Sequence, residues 1–105
     1  MKRRVIVLDE AEDELTEAEK WYEAQRPGLG LEFRRTIDEA MERLAESPLA
    51  APQVPHVPVS LGIRRILVKR FPYAIVFMEY HDELWVLAFA HHSRRPGYWR
   101  DRTKR

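Results

Sequence analysis

Residues 63–92 of this 105-residue chain, with the sequence IRRILVKRFPYAIVFMEYHDELWVLAFAHH, carry the main signal for a β-sheet. Three runs within it are rich in β-branched and aromatic residues and predict strands, at Ile63–Arg70, Tyr73–Tyr80 and Glu83–His92. Phe71-Pro72 separates the first two runs, because proline cannot donate to a strand ladder. His81-Asp82 predicts a tight turn between the second and third runs. Connections this short indicate two consecutive antiparallel hairpins.

The residues upstream predict one further strand and a first helix. The short, β-branched segment RRVIVL, residues 3–8, predicts the strand. Apolar residues then recur at the helical spacing i, i+4, i+7 and i+11, at Ala11, Leu15, Ala18 and Tyr22. Asp9 is the expected N-cap of this helix, with Glu12 completing a capping box. Pro27-Gly28 ends the helix.

A second helix is predicted from about Leu31 to Glu46, where Ser47-Pro48 stops it. Its apolar stripe consists of Phe33, Ile37, Ala40, Met41 and Leu44. Residues 47–61 contain four prolines, which exclude a regular helix or a central strand. We therefore expect an extended connector that lies over the domain.

Together these elements predict an α+β fold in the order β-α-α-β-β-β, with residues 1–105 forming a single domain. A helical hairpin packs on one face of a curved, mainly antiparallel sheet, and the first strand joins that sheet through a long-range pairing. The opposite face of the sheet is then expected to be free for a ligand.

Composition excludes several classes of protein. The chain has no cysteine, which excludes a disulfide scaffold, thiolate catalysis and a cysteine-based zinc site. Its four histidines show no metal-ligand spacing, so we expect no metal and no other cofactor. The longest apolar run, Leu84–Ala90, is too short to span a membrane. The basic N-terminus is followed by an apolar stretch of only four residues, Val5–Leu8, and then by acidic residues, unlike a signal peptide. We expect a cytoplasmic protein without a membrane partner.

The formal net charge of +1 conceals an uneven distribution along the chain. Residues 1–60 hold 8 basic and 13 acidic residues, a net of −5, and residues 61–105 hold 10 basic and 4 acidic residues, a net of +6. The acidic residues concentrate in Asp9–Glu23 and the basic residues in His91–Arg105. This asymmetry favours an anionic partner such as nucleic acid or an acidic protein segment. The alternative is a solvated helix face that simply balances a basic sheet.

Candidate functional side chains concentrate at the C-terminal end. By strand alternation, Arg64 and Arg70 share one face of their strand and Arg65 and Lys69 share the other, so either face presents two cations. Alternation places His92 on the same face as Val86 and Ala88 and His91 on the opposite face, so one of the two histidines must lie along the core. The tail adds Arg94, Arg95, Tyr98, Trp99, Arg100 and Arg102. Cations interleaved with aromatic rings suit nucleic acid, because they neutralise phosphate while the rings stack on bases.

Each of these groups also has a structural interpretation. The strand cations can simply protect a solvated sheet, and a buried histidine is usually a hydrogen-bonded structural residue. Trp21 and Tyr22 are expected to pack in the core, and the acids of Asp9–Glu23 are expected to form a solvated face.

The run RRILVKRFPYAIVFMEYHDELWVLAFAHHSRRPGYW, residues 64–99, resembles the C-terminal half of the RelE/ParE superfamily of bacterial toxins from type II toxin–antitoxin systems. The specific elements are the FPY turn, an apolar strand ending in histidine, and the motif RRPGYW. The N-terminal half agrees, with an acidic helix that ends in WYE, a Pro-Gly turn and a second helix closed by Ser47-Pro48. The resemblance implies a growth-inhibiting toxin that a small antitoxin protein neutralises.

The resemblance leaves the mechanism open between two classes. RelE-like members cleave mRNA in the ribosome without a metal, and an arginine commonly follows the Tyr-like residue that begins the third strand of such toxins. Here Ala74 follows Tyr73, which removes an expected transition-state cation. The residues that could rebuild a catalytic site are His91, His92, Arg94, Arg95 and Tyr98. ParE-like members instead poison DNA gyrase through a protein–protein contact.

In either class, further residues are expected to contact the target, namely Arg64, Arg65, Lys69, Arg70, Trp99, Arg100 and Arg102. Ala74 favours a gyrase inhibitor, whereas the dense cluster of Arg, His and Tyr favours an endoribonuclease acting on ribosome-bound mRNA. A third alternative is a non-toxic binding module that keeps the toxin fold.

Overall fold

The computed structural model describes residues 3–104, which form two α-helices and a four-stranded sheet in the order β-α-α-β-β-β. The elements are β1 (Val5–Val7), α1 (Asp9–Gln25), α2 (Leu29–Glu46), β2 (Ile63–Leu67), β3 (Tyr73–Tyr80) and β4 (Glu83–His91). Short 3₁₀ turns occupy Pro48–Ala50, Val59–Leu61 and Arg100–Lys104. Within the described residues, no helix is both long and apolar enough to cross a membrane.

The sheet is mixed, with the spatial order β1-β4-β3-β2. Strands β2, β3 and β4 pair antiparallel through the two predicted hairpins. Strand β1 runs parallel to β4, with Val5 opposite Leu84. The expected α+β architecture and the long-range pairing of the first strand are therefore confirmed.

Two predicted element boundaries were wrong. Leu8, not Asp9, occupies the N-cap of α1 and makes no side-chain capping bond. The strand pairing extends to this residue, because the Leu8 N–H donates to the Val86 carbonyl at 3.1 Å. Asp9 therefore lies in the first helical turn, where the positive end of the helix dipole still stabilises its negative charge. Strand β2 ends at Leu67, and Arg70 adopts a left-handed φ of 70° in the turn that follows.

The helical hairpin packs on one face of the sheet and forms the larger core. Phe33 and Ile37 of α2 meet Phe77 and Phe89 of the sheet, and all four are almost completely buried. The two helices approach closely at Gly30, where a Cβ atom would lie 2.8 Å from the Glu19 carbonyl oxygen. A side chain at this position would therefore push the helices apart.

The opposite face of the sheet carries a second core, so the expectation of a free face was wrong. Trp99 of the tail packs there against Ile63, Val76 and Leu87, and is only 4% exposed. The connector contributes as well: its Val54 N–H donates to the Ile63 carbonyl at 2.9 Å along the outer edge of β2. The connector and the tail thus cover part of this face and leave the remainder open.

A β-bulge in β4 determines which residues reach each face. Val76 pairs with Ala88 but the next residue of β3 pairs with Val86, which leaves Leu87 as an extra residue in β4. Val86 packs toward the helices, whereas Ala88 packs in the second core. The predicted alternation placed both residues on the face of His92 and was therefore wrong. Because bulges re-aim the residues that follow them, His92 reaches the face opposite the helices.

Candidate functional site: a basic cleft on the second sheet face

The open part of the second sheet face forms a cleft of about 630 Å³ between β2, the end of β4, the connector and the tail. We call it the basic cleft. Its apolar wall includes Leu67, Ala74, Val76 and Ala90, and its polar lining comprises Arg65, Arg94, Arg95, Arg100, His56, His91, His92 and Tyr98. No Asp or Glu is among the described residues that line it. A cleft with four guanidinium groups and no carboxylate attracts anions.

Four of the polar lining side chains are exposed and have no side-chain partner among residues 3–104: Arg65, Arg95, His56 and His92. His92 is positioned through its backbone, because its N–H donates to the Pro72 carbonyl at 2.9 Å. Arg100 is partly engaged, since its Nη2 donates to the His56 carbonyl at 2.6 Å and so joins the tail to the connector. The free cations are therefore on β2 and on the tail.

Tyr98, which was predicted as a catalytic residue, uses its hydroxyl in a hydrogen bond to a residue outside the cleft. Its hydroxyl donates to Glu14 Oε2 at 2.6 Å. Burial, and secondarily this hydrogen bond, raises the pKa of Tyr98 well above its ordinary value. The Arg94 guanidinium lies over the Tyr98 ring, 3.8 Å from its centroid. Tyr98 thus stays protonated and supports the wall of the cleft.

His91 lies at the same wall but faces the helices. Its Nδ1 accepts the Ser93 N–H at 3.0 Å, and its ring meets the Tyr73 ring edge-on at 5.1 Å. The five predicted catalytic residues are therefore brought to one wall of the cleft, but Tyr98 and His91 have structural contacts there. Among the described residues, no group of three or more His, Asp or Glu is arranged to hold a metal ion.

Four of the predicted target-binding cations lie outside the basic cleft, and three of these, Arg64, Lys69 and Arg70, belong to β2 or to the turn after it. The Arg64 guanidinium donates to the Ala51 carbonyl at 2.6 Å. Arg70 pairs with Glu32 of α2 at 2.9 Å, and hydrogen bonds from Arg70 and Arg26 lower the pKa of that carboxyl. Lys69 is exposed but does not line the cleft. Each face of β2 was expected to present two cations to a ligand. Among Arg64, Arg65, Lys69 and Arg70, only Arg65 lines the basic cleft.

Trp99 and Arg102 were expected to contact the target, and the structure gives both a framework role, although Trp99 also forms part of the lining of the basic cleft. Trp99 is buried because the tail folds back over the second core. The Arg102 side chain is only 16% exposed, where it pairs with Glu14 at 3.0 Å and donates to the Leu87 carbonyl at 2.9 Å. Glu14 was likewise expected on a solvated helix face. Sequence spacing gives no signal for this pair, because the two residues are 88 positions apart.

Trp21 was predicted to pack and is instead 60% exposed, while its neighbour Tyr22 packs on Phe33. Trp21 lies at the rim of a second groove of about 760 Å³ between α1 and β4, which we call the helix groove. The helix groove and the basic cleft share His91, Arg94 and Tyr98, so a single wall separates them.

Comparisons with known proteins agree with this architecture. Residues 5–96 match the family model described as "ParE toxin of type II toxin-antitoxin system, parDE". Among solved structures, the chain is similar to one titled "Chromosomal ParDE TA system from P. aeruginosa", with a TM-score of 0.74 and 20% sequence identity. The alignment covers 86% of this chain and 96% of the other. A search of curated proteins gave no match.

Proposed function

We propose that this chain, which belongs to the ParE toxins of type II toxin–antitoxin systems, inhibits bacterial growth by binding DNA gyrase. The basic cleft is the proposed contact surface. The observation that carries the proposal is a carboxylate-free cleft in which Arg65 and Arg95 are free to meet an anionic partner. Arginine is frequent among the residues that dominate interface energies, because its planar guanidinium can pair with carboxylates in a fixed geometry.

The same cleft is poorly equipped for RNA cleavage. That reaction needs one group to take the 2′-hydroxyl proton, another to protonate the leaving oxygen, and cations to stabilise the phosphate. The Tyr98 hydroxyl is held by Glu14, and His91 Nδ1 is occupied by the Ser93 amide. Ala74 lines the cleft at the position where RelE-like members commonly carry arginine. These contacts favour binding over catalysis.

Cleavage of mRNA is the second candidate, and one observation favours it. His56 and His92 both line the cleft beside Arg65 and Arg95. Two imidazoles can serve as general acid and general base, and the two guanidinium groups can hold a phosphate. This alternative predicts that transcripts are cut only while they are translated.

We also propose a cognate antitoxin as the partner that silences the toxin. An acidic segment would neutralise the basic cleft, and apolar side chains would fill the helix groove beside Trp21. The likeness to the ParDE structure from P. aeruginosa supports such a partner. We expect the toxin to co-purify with a small acidic-tailed protein encoded by the neighbouring gene.

The proposal is tested by inducing the chain with and without its neighbouring gene and measuring supercoiling and transcript integrity in parallel. We expect growth arrest, loss of gyrase supercoiling and intact transcripts, all reversed by the antitoxin. Transcripts cut during translation, with gyrase unaffected, would replace the proposal by the second candidate. Harmless expression without the antitoxin would instead indicate a non-toxic binding module.

A further inference from the structure

Glu14 stands apart from the other acidic residues of α1, because three separate groups of the chain converge on its carboxylate. Its Oε1 accepts the Phe89 N–H at 3.1 Å, and its Oε2 accepts the Tyr98 hydroxyl at 2.6 Å. Arg102 approaches both oxygens, with Nη1 at 3.0 Å from Oε1 and Nη2 at 3.2 Å from Oε2. The side chain is only 16% exposed. A single carboxylate thus joins the first helix, the fourth strand and the tail.

Glu14 and Arg102 together close an open edge of the sheet. Strand β1 pairs with β4 only at Leu84–Val86, so the following residues of β4 have no strand beside them on that edge. Arg102 donates to the Leu87 carbonyl at 2.9 Å, and Glu14 accepts the Phe89 N–H. Each side chain therefore satisfies a backbone group that a neighbouring strand would otherwise pair.

The same carboxylate fixes the tail segment that forms a wall of the basic cleft. Tyr98 is tied to α1 by its hydroxyl, and Arg94 stacks on the Tyr98 ring. Arg95 lies between these two residues in the chain, and its carbonyl accepts the Tyr98 N–H at 3.2 Å. The position of the free Arg95 guanidinium therefore depends on an anchor at Glu14, which does not itself line the cleft.

We propose that Glu14 is the positioning residue of the toxic surface: it anchors the tail through Tyr98 and Arg102 so that Arg94 and Arg95 present their charges to the target. The inference rests on the proposed function in that the basic cleft is taken as the toxic surface. The anchoring itself is independent of which target the cleft contacts.

The test compares Glu14→Gln with Glu12→Gln, a control on the same helix. Glu12 is exposed, lines neither the basic cleft nor the helix groove, and has no ion pair within the described residues. The readouts are growth arrest on induction and hydrogen exchange of the purified chain, residue by residue. For Glu14→Gln we expect exchange of the tail amides, residues 94–102, to accelerate about tenfold or more, while β3 amides stay protected and growth arrest weakens. The control should match the wild type in both readouts.

Unchanged exchange of the tail amides in Glu14→Gln would overturn the proposal. An equal loss of protection in the tail and in β3 would also overturn it, because such a loss would show that Glu14 stabilises the whole fold and does not position the tail. Should Glu14→Gln fail to fold, Tyr98→Phe removes a single hydrogen bond to the same carboxylate. Faster exchange confined to the tail of Tyr98→Phe would support the anchor, and wild-type exchange would refute it. If gyrase proves unaffected by the wild-type toxin, the proposed function fails, yet growth arrest and exchange still decide the role of Glu14.

Discussion

Replacing Trp99 by alanine tests whether this residue stabilises the fold or contacts the target. The motif that contains Trp99 also contains Arg95, a free cation of the cleft, so the sequence alone favours a role in binding. In the structure the indole is 4% exposed and packs with Ile63, Val76 and Leu87. Truncating a buried aromatic residue to alanine lowers the free energy of unfolding by about 3–5 kcal/mol, from lost burial and the cavity left behind.

For a domain of this size, each kcal/mol changes the melting temperature by roughly 4–8 °C. The expected decrease for Trp99→Ala is therefore roughly 12–40 °C, measured by thermal unfolding followed by circular dichroism. Trp21→Ala is the control, because that indole is 60% exposed and its loss should change the free energy of unfolding by no more than about 0.5 kcal/mol. An unchanged melting temperature for Trp99→Ala, together with lost target binding, would refute the second core.

Two further perturbations test other parts of the fold. Gly30→Ala should lower the free energy of unfolding by about 1–3 kcal/mol in urea, because the new Cβ would lie 2.8 Å from the Glu19 carbonyl; an unchanged midpoint would contradict the close helix contact. Burial raises the pKa of Tyr22, Tyr73 and Tyr98, so the folded chain keeps protons that the unfolded chain loses above about pH 10. The free energy of unfolding should then fall as the pH rises above about 10, less steeply in Tyr98→Phe, and a value that rises with pH there would contradict the assignment.

The sequence predicted the regular elements well because their signals are local. The β-branched runs and the helical stripe of Phe33 and Ile37 depend on residues a few positions apart, and both gave the correct element types. The capping box failed because Leu8 continues the pairing of β1, a contact with Val86 that lies far along the chain. The predicted face of His92 was wrong because the bulge inserts one extra residue, Leu87, into β4. The residues after the bulge therefore point to the face opposite to the one that simple alternation predicts.

The candidate site was predictable in its chemistry and less so in its geometry. Charge distribution located the basic segment, and Arg65 and Arg95 do line one cleft. The sequence could not show that Trp21 is exposed and Trp99 is buried. The tail has no periodicity that indicates where it folds back over the sheet. Glu14 was missed for the same reason, since its contact with Tyr98 spans 84 positions.

The dose dependence of purified gyrase supercoiling tests whether the basic cleft is the surface that inhibits gyrase. Wild-type toxin should inhibit supercoiling, and the double variant Arg65→Ala/Arg95→Ala should need about tenfold more protein or higher for half-inhibition. Arg35→Ala removes one exposed charge from α2, on the other side of the sheet, and should inhibit like the wild type. Unimpaired supercoiling at a large excess of wild-type toxin would exclude gyrase as the target, and equal inhibition by the double variant would exclude the basic cleft as the contact surface.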